Sequence, residues 1–332
     1  MKLYKEQDAT LEPLKSKTVA VLGYGNQGRA QALNLRDNGV KVIIGNRDDE
    51  YRQQAIEEGF EPVEIPEAAA AGDILLVLTT DECMPIIWDD QIAPGIEDGN
   101  TLCWGSGYNI TYGYITPPPS ANAIMIAPIM PGPVVRTRFK QGQGVLSQFA
   151  VENDVTGDAR EIALALCKGM GLTRAGVYES SFQGEAHLNL FTEQVIWAGL
   201  SAWMVYCYEL AVEQGFPPEE VIMVLYASTE NAEIMKLMAE EGFYKQMTSH
   251  STTSQYGTLT RGPKLINDAM KAQGHHNLVN DIMGGKFAKE WTEDKEAPKR
   301  LEELRAKSLA HPMSIAEDGV LEMIRKAQTN DE

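Results

Sequence analysis

The sequence predicts an α/β fold, a doubly wound and mostly parallel sheet up to about residue 180, followed by an all-α domain. Three observations carry this. Short apolar runs alternate with helical spacing through the first half. One of these runs ends in a glycine turn that passes straight into a helix. From Glu185 onward almost nothing reads as strand, while residues 190–210 and 218–241 are long apolar-periodic segments rich in Ala, Leu and Met. The expected division is a dinucleotide-binding domain over residues 1–181, a helical domain over 182–327 and a frayed polar tail at 328–332.

The stretch that organises the rest is residues 17–47. An apolar run, Thr18 to Leu22, ends in Gly23-Tyr24-Gly25-Asn26-Gln27-Gly28 and gives way to Ala- and Leu-rich sequence with helical spacing. The chemistry of a bound pyrophosphate requires glycine here: a tight turn at Gly23, close backbone approach at Gly25, and close helix packing at Gly28. The helix that follows aims free N–H groups and its positive dipole end at the phosphates. A second apolar run, 40–44, comes at the distance a βαβ unit needs, so the pattern is that of a Rossmann-type NAD or NADP site. At its end stand Asn46, Arg47 and, further on, Arg52, which lean toward the 2′-phosphate of NADP. The neighbouring Asp48-Asp49-Glu50 repels one, so both cofactors are expected to work.

The remaining elements of this half follow in order. Residues 50–58 read as a helix, and 74–78 as a strand buried on both faces. That strand ends at Thr79-Thr80-Asp81-Glu82, at the sheet edge where ligands lie, which makes Thr80 and Asp81 cofactor candidates. Residues 101–104 lead into Gly105-Ser106-Gly107-Tyr108-Asn109, adding Ser106 and Gly107. Residues 123–127 lead into a loop of small residues at 128–133.

Composition excludes other classes. A formal charge of -18 and a pI near 4.8 argue against nucleic acid, whose phosphates need clustered Lys and Arg. Four widely spaced cysteines without CxxC or Cys/His spacing point to a reducing compartment. The N-terminus has no apolar leader, and there is no run of about 18 apolar residues. The expectation is a cytoplasmic, non-membrane protein. The broad apolar content of 190–210 and 218–241 suggests buried helices, with Met223, Met235 and Met238 as core filling or a subunit interface.

DATLEPLKSKTVAVLGYGNQGRAQALNLRDNG, the loop AP..PGPVVR, GVLSQFAVENDVTGDAREIALALCKGMGLTRAGV, LFTEQ, SQYGTLTRGP and FAKEW together resemble ketol-acid reductoisomerase over nearly the whole chain. The resemblance implies a Rossmann-type domain, an all-helical knotted domain, and a homodimer or larger assembly. It also implies NADPH and two magnesium ions, used to shift an alkyl group and then reduce a 2-keto acid. Several carboxylates are needed to hold two hard cations that polarise the substrate's oxygens. At the positions that the resemblance assigns to the metals, this chain has Asn189, Glu193, Tyr226 and Glu230, so four carboxylates become two. The family's loop histidine corresponds to Ser106 and its lysine after Ala-Pro to Ile129. Serine shuttles no proton near neutral pH as imidazole does.

Glu193, Glu230, the substrate-side Ser251, Ser106 and His187 are therefore the catalytic candidates, with Glu193 and Glu230 the metal candidates if any metal is held. A mononuclear site of His187, His250, Glu193 and Glu230 is an alternative, as is a proton-donor role for His187 or His250. The function expected is an NAD(P)-dependent oxidoreductase acting on a small carboxylate-bearing ketone or imine, without the two-magnesium alkyl shift. One rival is the authentic ketol-acid reductoisomerase of branched-chain amino acid biosynthesis. Another is a non-catalytic dinucleotide-binding protein.

Overall fold

The structure, a computed structural model, describes residues 1–329. By spatial contact the chain divides into two units, one ending at Asn189 and one beginning at Leu190. The break lies within a helix, beyond the expected junction at 181/182, because the polypeptide crosses from one unit to the other as continuous helix.

The first unit holds eight strands: β1 (Leu3–Tyr4), β2 (Thr18–Leu22), β3 (Lys41–Gly45), β4 (Ile74–Val77), β5 (Thr101–Trp104), β6 (Asn122–Pro128), β7 (Ser147–Asn153) and β8 (Val177–Glu179). Their order is β1-β8-β7-β6-β5-β4-β2-β3. From β3 to β6 every pair is parallel. The β6–β7 and β1–β8 pairs are antiparallel, and β7–β8 is parallel. The five strands from β2 to β6 are those the apolar runs indicate. The run at β7, SQFAVEN, is broken by polar residues and does not announce itself, yet Ser147, Phe149 and Ala150 are buried.

Seven helices flank the sheet: α1 (Asn26–Asp37), α2 (Glu50–Glu57), α3 (Ile65–Ala71), α4 (Met84–Ile87), α5 (Tyr108–Thr111), α6 (Gly132–Lys140) and α7 (Ala159–Gly169). Side chains alternate across a strand. Val19, Val21, Ile74 and Leu76 accordingly enter one core with α1 and α7, while Ala20, Leu22, Leu75 and Val77 enter a second core with α3 and Trp88. Both faces are covered, which is why these strands read as unbroken apolar runs. Each buried Leu or Ile contributes about 1.5–3 kcal/mol.

The helix α8 (Phe182–Phe191) leads into the second unit. There follow a π-helical turn (Thr192–Trp197), α9 (Ala198–Glu213), α10 (Pro218–Ile222), a π-helical turn (Met223–Ala227), α11 (Glu230–Glu241) and α12 (Thr252–Leu265). Next come α13 (Asp268–His276), a further π-helical turn (Asn277–Met283), α14 (Lys286–Thr292), α15 (Ala297–Leu309) and α16 (Pro312–Thr329). No strand occurs among the described residues of this unit. The last helix runs to Thr329; the end of the tail expected at 328–332, residues 330–332, lies outside the described residues.

One expectation changes here. The apolar helices were expected to be buried, but in the single chain they lie open. Of α9 only Tyr208 is buried, Trp197 and Tyr206 are 48% and 50% exposed, and one buried cluster of the unit is Tyr208, Val221, Ile222 and Val320. The stretch Phe182–Glu213 is long and apolar enough, by length and composition, to cross a membrane, with a mean hydropathy of 1.4 over an 18-residue window within it. Scattered polar residues hide it from a search for an unbroken apolar run. In addition, Tyr226 and Glu230 do not share one helical turn. The helix breaks between them at Thr229, whose φ of 64° is the only positive value at a non-glycine among the described residues.

A β-branched residue in this left-handed conformation stores about 1–3 kcal/mol, against roughly 0.5–1 kcal/mol for glycine's extra unfolded freedom. Thr229→Gly is therefore expected to stabilise the protein by about 1 kcal/mol, checked by urea unfolding at fixed protein concentration.

Candidate functional site

At the carboxyl edge of the sheet β2 delivers the chain to Gly23, whose φ is 98°. A Cβ on Gly28 would stand 1.9 Å from the Gly23 carbonyl oxygen, so α1 starts as close to the turn as a backbone can. Gly25 is the opposite case, with nothing within 4 Å of a Cβ, which leaves its backbone open to a ligand. As N-cap of α1 it offers no side chain to the first-turn N–H groups. Those donors and the positive end of the helix dipole are a ready anion site. The Gln27 side chain is committed elsewhere, donating to the Met130 carbonyl at 2.9 Å, and Asn26 lies against Gly132.

A cavity of about 380 Å³ opens beside this turn. Of the expected cofactor residues, Gly23, Tyr24, Gly25, Asn46, Arg47 and Thr80 line it. Asn26, Gln27, Gly28, Arg52, Asp81, Ser106 and Gly107 do not. The Tyr24 ring is core, packed edge-on against Phe60 with its hydroxyl donating to Glu58 at 2.9 Å, so only its backbone belongs to the site. Tyr51, Thr79 and Cys83 also line the cavity without having been expected there, and Asp49, expected only to repel a 2′-phosphate, lines it too.

Past β3 the polar network is closed. Asn46, 5% exposed, accepts from the Tyr24 N–H at 2.9 Å and donates to Asp49 at 2.8 Å. Asp49 caps α2 and takes the Arg47 Nε at 2.7 Å. Burial alone would raise the Asp49 carboxyl, but the hydrogen bonds from Arg47, the Arg52 N–H and Asn46 outweigh it and hold the group below the usual carboxylate range. The Arg52 guanidinium is spent on the Asn46 carbonyl at 2.8 Å, Glu64 at 2.6 Å and the Pro62 carbonyl at 3.0 Å. Arg47, with its side chain 78% exposed, is the cation that faces the cavity. The residues present fit a dinucleotide: open backbone at Gly25, an uncapped helix start, and a polar ribose end.

The loops beyond β4 and β5 are joined, since the Asn109 amide donates to the Asp81 carbonyl at 3.1 Å. The Ser106 oxygen accepts from the Tyr108 N–H at 3.1 Å. His187 sits with its ring 6.1 Å from that of Tyr112, and burial lowers it from 6.5, so at pH 7 it is neutral and is no ready proton donor.

In the second unit Glu193 lies exposed in the first π-helical turn, and Glu230, also exposed, opens α11. Ser251 is the N-cap of α12, its oxygen accepting from the Ser254 N–H at 3.2 Å. The Tyr226 hydroxyl donates to Glu317 on α16. Burial, and then the Glu317 carboxylate, push the phenol well above its ordinary value. Among the described residues no three His, Cys, Asp or Glu side chains come together as a metal cluster.

Residues 13–176 match the family described as acetohydroxy acid isomeroreductase, NADPH-binding domain, and residues 182–326 match ketol-acid reductoisomerase, C-terminal domain. The chain belongs to the ketol-acid reductoisomerase family. It is 42% identical over 317 residues to the ketol-acid reductoisomerase (NADP(+)) of Pyrobaculum islandicum, covering 95% of each chain. With that of Methanopyrus kandleri it shares 43% over 300 residues, covering 89% of this chain and 90% of the other. The solved structure of an NADH-preferring ketol-acid reductoisomerase from an uncultured archean is 34% identical and superposes with a TM-score of 0.92, covering 97% and 99% of the two chains. The fold expected from the sequence, an α/β sheet domain followed by helices, is thus that of a ketol-acid reductoisomerase.

Against the family's metal positions the donor set is changed. Asn189 is a neutral amide, and Tyr226 offers a protonated phenol already given to Glu317. Two carboxylates offset half the charge of two magnesium ions. The four positions that the resemblance assigns to the metals thus hold two carboxylates, Glu193 and Glu230.

Gly25→Ala is expected to fold with stability within about 1 kcal/mol of the parent and to weaken dinucleotide binding about tenfold or more by blocking backbone approach, measured by fluorescence titration. Gly28→Ala, which drives a methyl group into a carbonyl oxygen, is expected to destabilise by about 3 kcal/mol. Because His187 titrates below 6.5 when folded, the unfolded chain binds more protons just beneath that pH. The melting temperature is expected to fall as pH drops through this window, and less steeply in His187→Gln.

Proposed function

We propose that this chain is an NAD(P)H-dependent reductase of the ketol-acid reductoisomerase family, delivering hydride to a small carboxylate-bearing ketone or imine. The observation that carries the reading is the intact glycine turn and open Gly25 backbone beside the cavity at the end of β2. When bound, the nicotinamide supplies the hydride, and the protein's part is to hold and orient it. The first-turn N–H groups of α1 would hold the pyrophosphate, and Arg47, which lines the cavity, would hold the adenosine ribose end. The family description and the curated relatives' names support NADP, with Arg47 as the group nearest a 2′-phosphate. Asp49, whose oxygens are already engaged by Arg47, Asn46 and two backbone N–H groups, is spared full repulsion, so NAD is accepted as well.

A narrower reading has more support from the comparisons: that the chain is a ketol-acid reductoisomerase in full, as its relatives are named. The two readings share the reduction and differ in the alkyl shift, the step that most needs metal polarisation. The Tyr226–Glu317 hydrogen bond and Asn189 speak against the shift.

The open helices of the second unit support a homodimer or larger assembly, in which a second copy covers the apolar surface that the chain leaves bare. Four free cysteines support a reducing cytoplasm.

Incubating the protein with 2-acetolactate, NADPH and a magnesium series separates the readings. Metal-dependent formation of the dihydroxy acid is the outcome of the full isomeroreductase. Reduction of preformed 2-keto acids without metal, and none of 2-acetolactate, is the outcome of the reductase. Cofactor binding with no turnover of either leaves a dinucleotide-binding protein. Arg47→Ala is expected to weaken NADPH about fivefold and NADH less than about twofold, the gain being small because the guanidinium is mostly exposed; titration of both cofactors checks it. Light scattering on purified protein is expected to give at least twice the chain mass.

A further inference from the structure

We propose that Glu185 is a positioning residue for the nicotinamide end of the dinucleotide, acting through the loop that follows β5. The inference rests on the cofactor-dependent reduction proposed above. The strand order turns at β2, with β3 on one side and β4 and β5 on the other. In such sheets a dinucleotide crosses the carboxyl edge at this switch, the adenosine toward one half and the nicotinamide toward the other. Asn46, Arg47 and Asp49 make the adenosine end, so the nicotinamide end falls to the loops after β4 and β5.

Those two loops are tied together, because the Asn109 amide donates to the Asp81 carbonyl at 3.1 Å and to its carboxylate at 3.3 Å. The second loop carries two glycines, Gly105 and Gly107, and ends in a helix of four residues, so it has little stiffness of its own. Its position is imposed from α8. Glu185, 5% exposed, accepts the Gly107 N–H at 2.6 Å across 78 residues of sequence. The Phe182 carbonyl stands so near that a Cβ at residue 107 would come within 2.0 Å of it. A third tie is the ring of His187 beside that of Tyr112.

A carboxylate is an expensive acceptor to bury, and a backbone carbonyl or an amide would serve a plain structural contact. A charged acceptor makes a shorter and stronger bond to an N–H, which narrows the range over which the loop sits. Hydride transfer is sensitive to that range, since a displacement of about 1 Å at the reacting atoms costs on the order of a hundredfold in rate.

The test compares binding of NADPH with binding of 2′,5′-ADP, which occupies the adenosine end alone, by calorimetry on the full-length protein and on Glu185→Ala and Glu185→Gln. The emission shift of bound NADPH is read alongside. For Glu185→Ala the expected result is NADPH weakened about tenfold with the emission shift reduced, and 2′,5′-ADP within about twofold of the parent. Glu185→Gln, which keeps an acceptor oxygen at the same reach but loses the charge, is expected to recover only part of the affinity. Equal weakening of both ligands, no change in NADPH binding, or a glutamine variant no better than alanine would each overturn the assignment to Glu185 alone. Failure of the parent protein to bind NADPH would instead overturn the functional reading, and this inference with it.

Discussion

The structure depends on one close approach, that of α1 to the turn at the end of β2. A helix can begin there only if residue 28 has no side chain, since any carbon would sit on the Gly23 carbonyl. That approach sets the helix axis against the sheet, brings its uncapped N-terminus to the sheet edge, and leaves the Gly25 backbone bare. The cavity lined by the ends of β2, β3 and β4 follows from the same geometry, because parallel strands all present their carboxyl ends to one side.

Much of this was legible in the sequence. The strands β2, β4, β5 and β6 are buried on both faces and so appear as unbroken apolar runs, the edge strand β3 is partly exposed but keeps its apolar run, and the glycine turn is readable because its spacing follows from backbone sterics. β1, of two residues, and β7, with Ser147 and Gln148 buried among apolar neighbours, carry no such pattern. The side-chain partners at the ribose end were less legible still. Arg52 reads as a phosphate ligand by its place in the chain, but Glu64 and the carbonyls of residues 46 and 62 claim its guanidinium. Those partners are brought near by the fold, and no local spacing announces them. Glu185 was invisible for the same reason, since its partner, Gly107, is 78 residues away.

The helical half shows the opposite failing. Its composition reads as buried, and the residues are apolar as expected, but burial depends on what lies opposite, which composition does not state. The substituted metal positions illustrate a related point. Tyr226 could be read from sequence as packing or as a phenolic donor, and the fold makes it a donor, although to Glu317. A side chain that loses an ionic role does not simply leave a gap; its neighbours take up its hydrogen-bonding capacity. The family's glutamates, four residues apart, would share a helical turn, and here a left-handed threonine separates the two positions.

The bareness of α9 has a thermodynamic consequence. Beside Tyr208, Val221, Ile222 and Val320, the described residues of the second unit bury Leu190, Ile282, Ala288 and Ala297, which is sparse apolar burial against the chain entropy of so many helices. Were a second copy of the chain to cover that face, mass action would enter the folding of this half, and dilution by itself would favour the disordered chain.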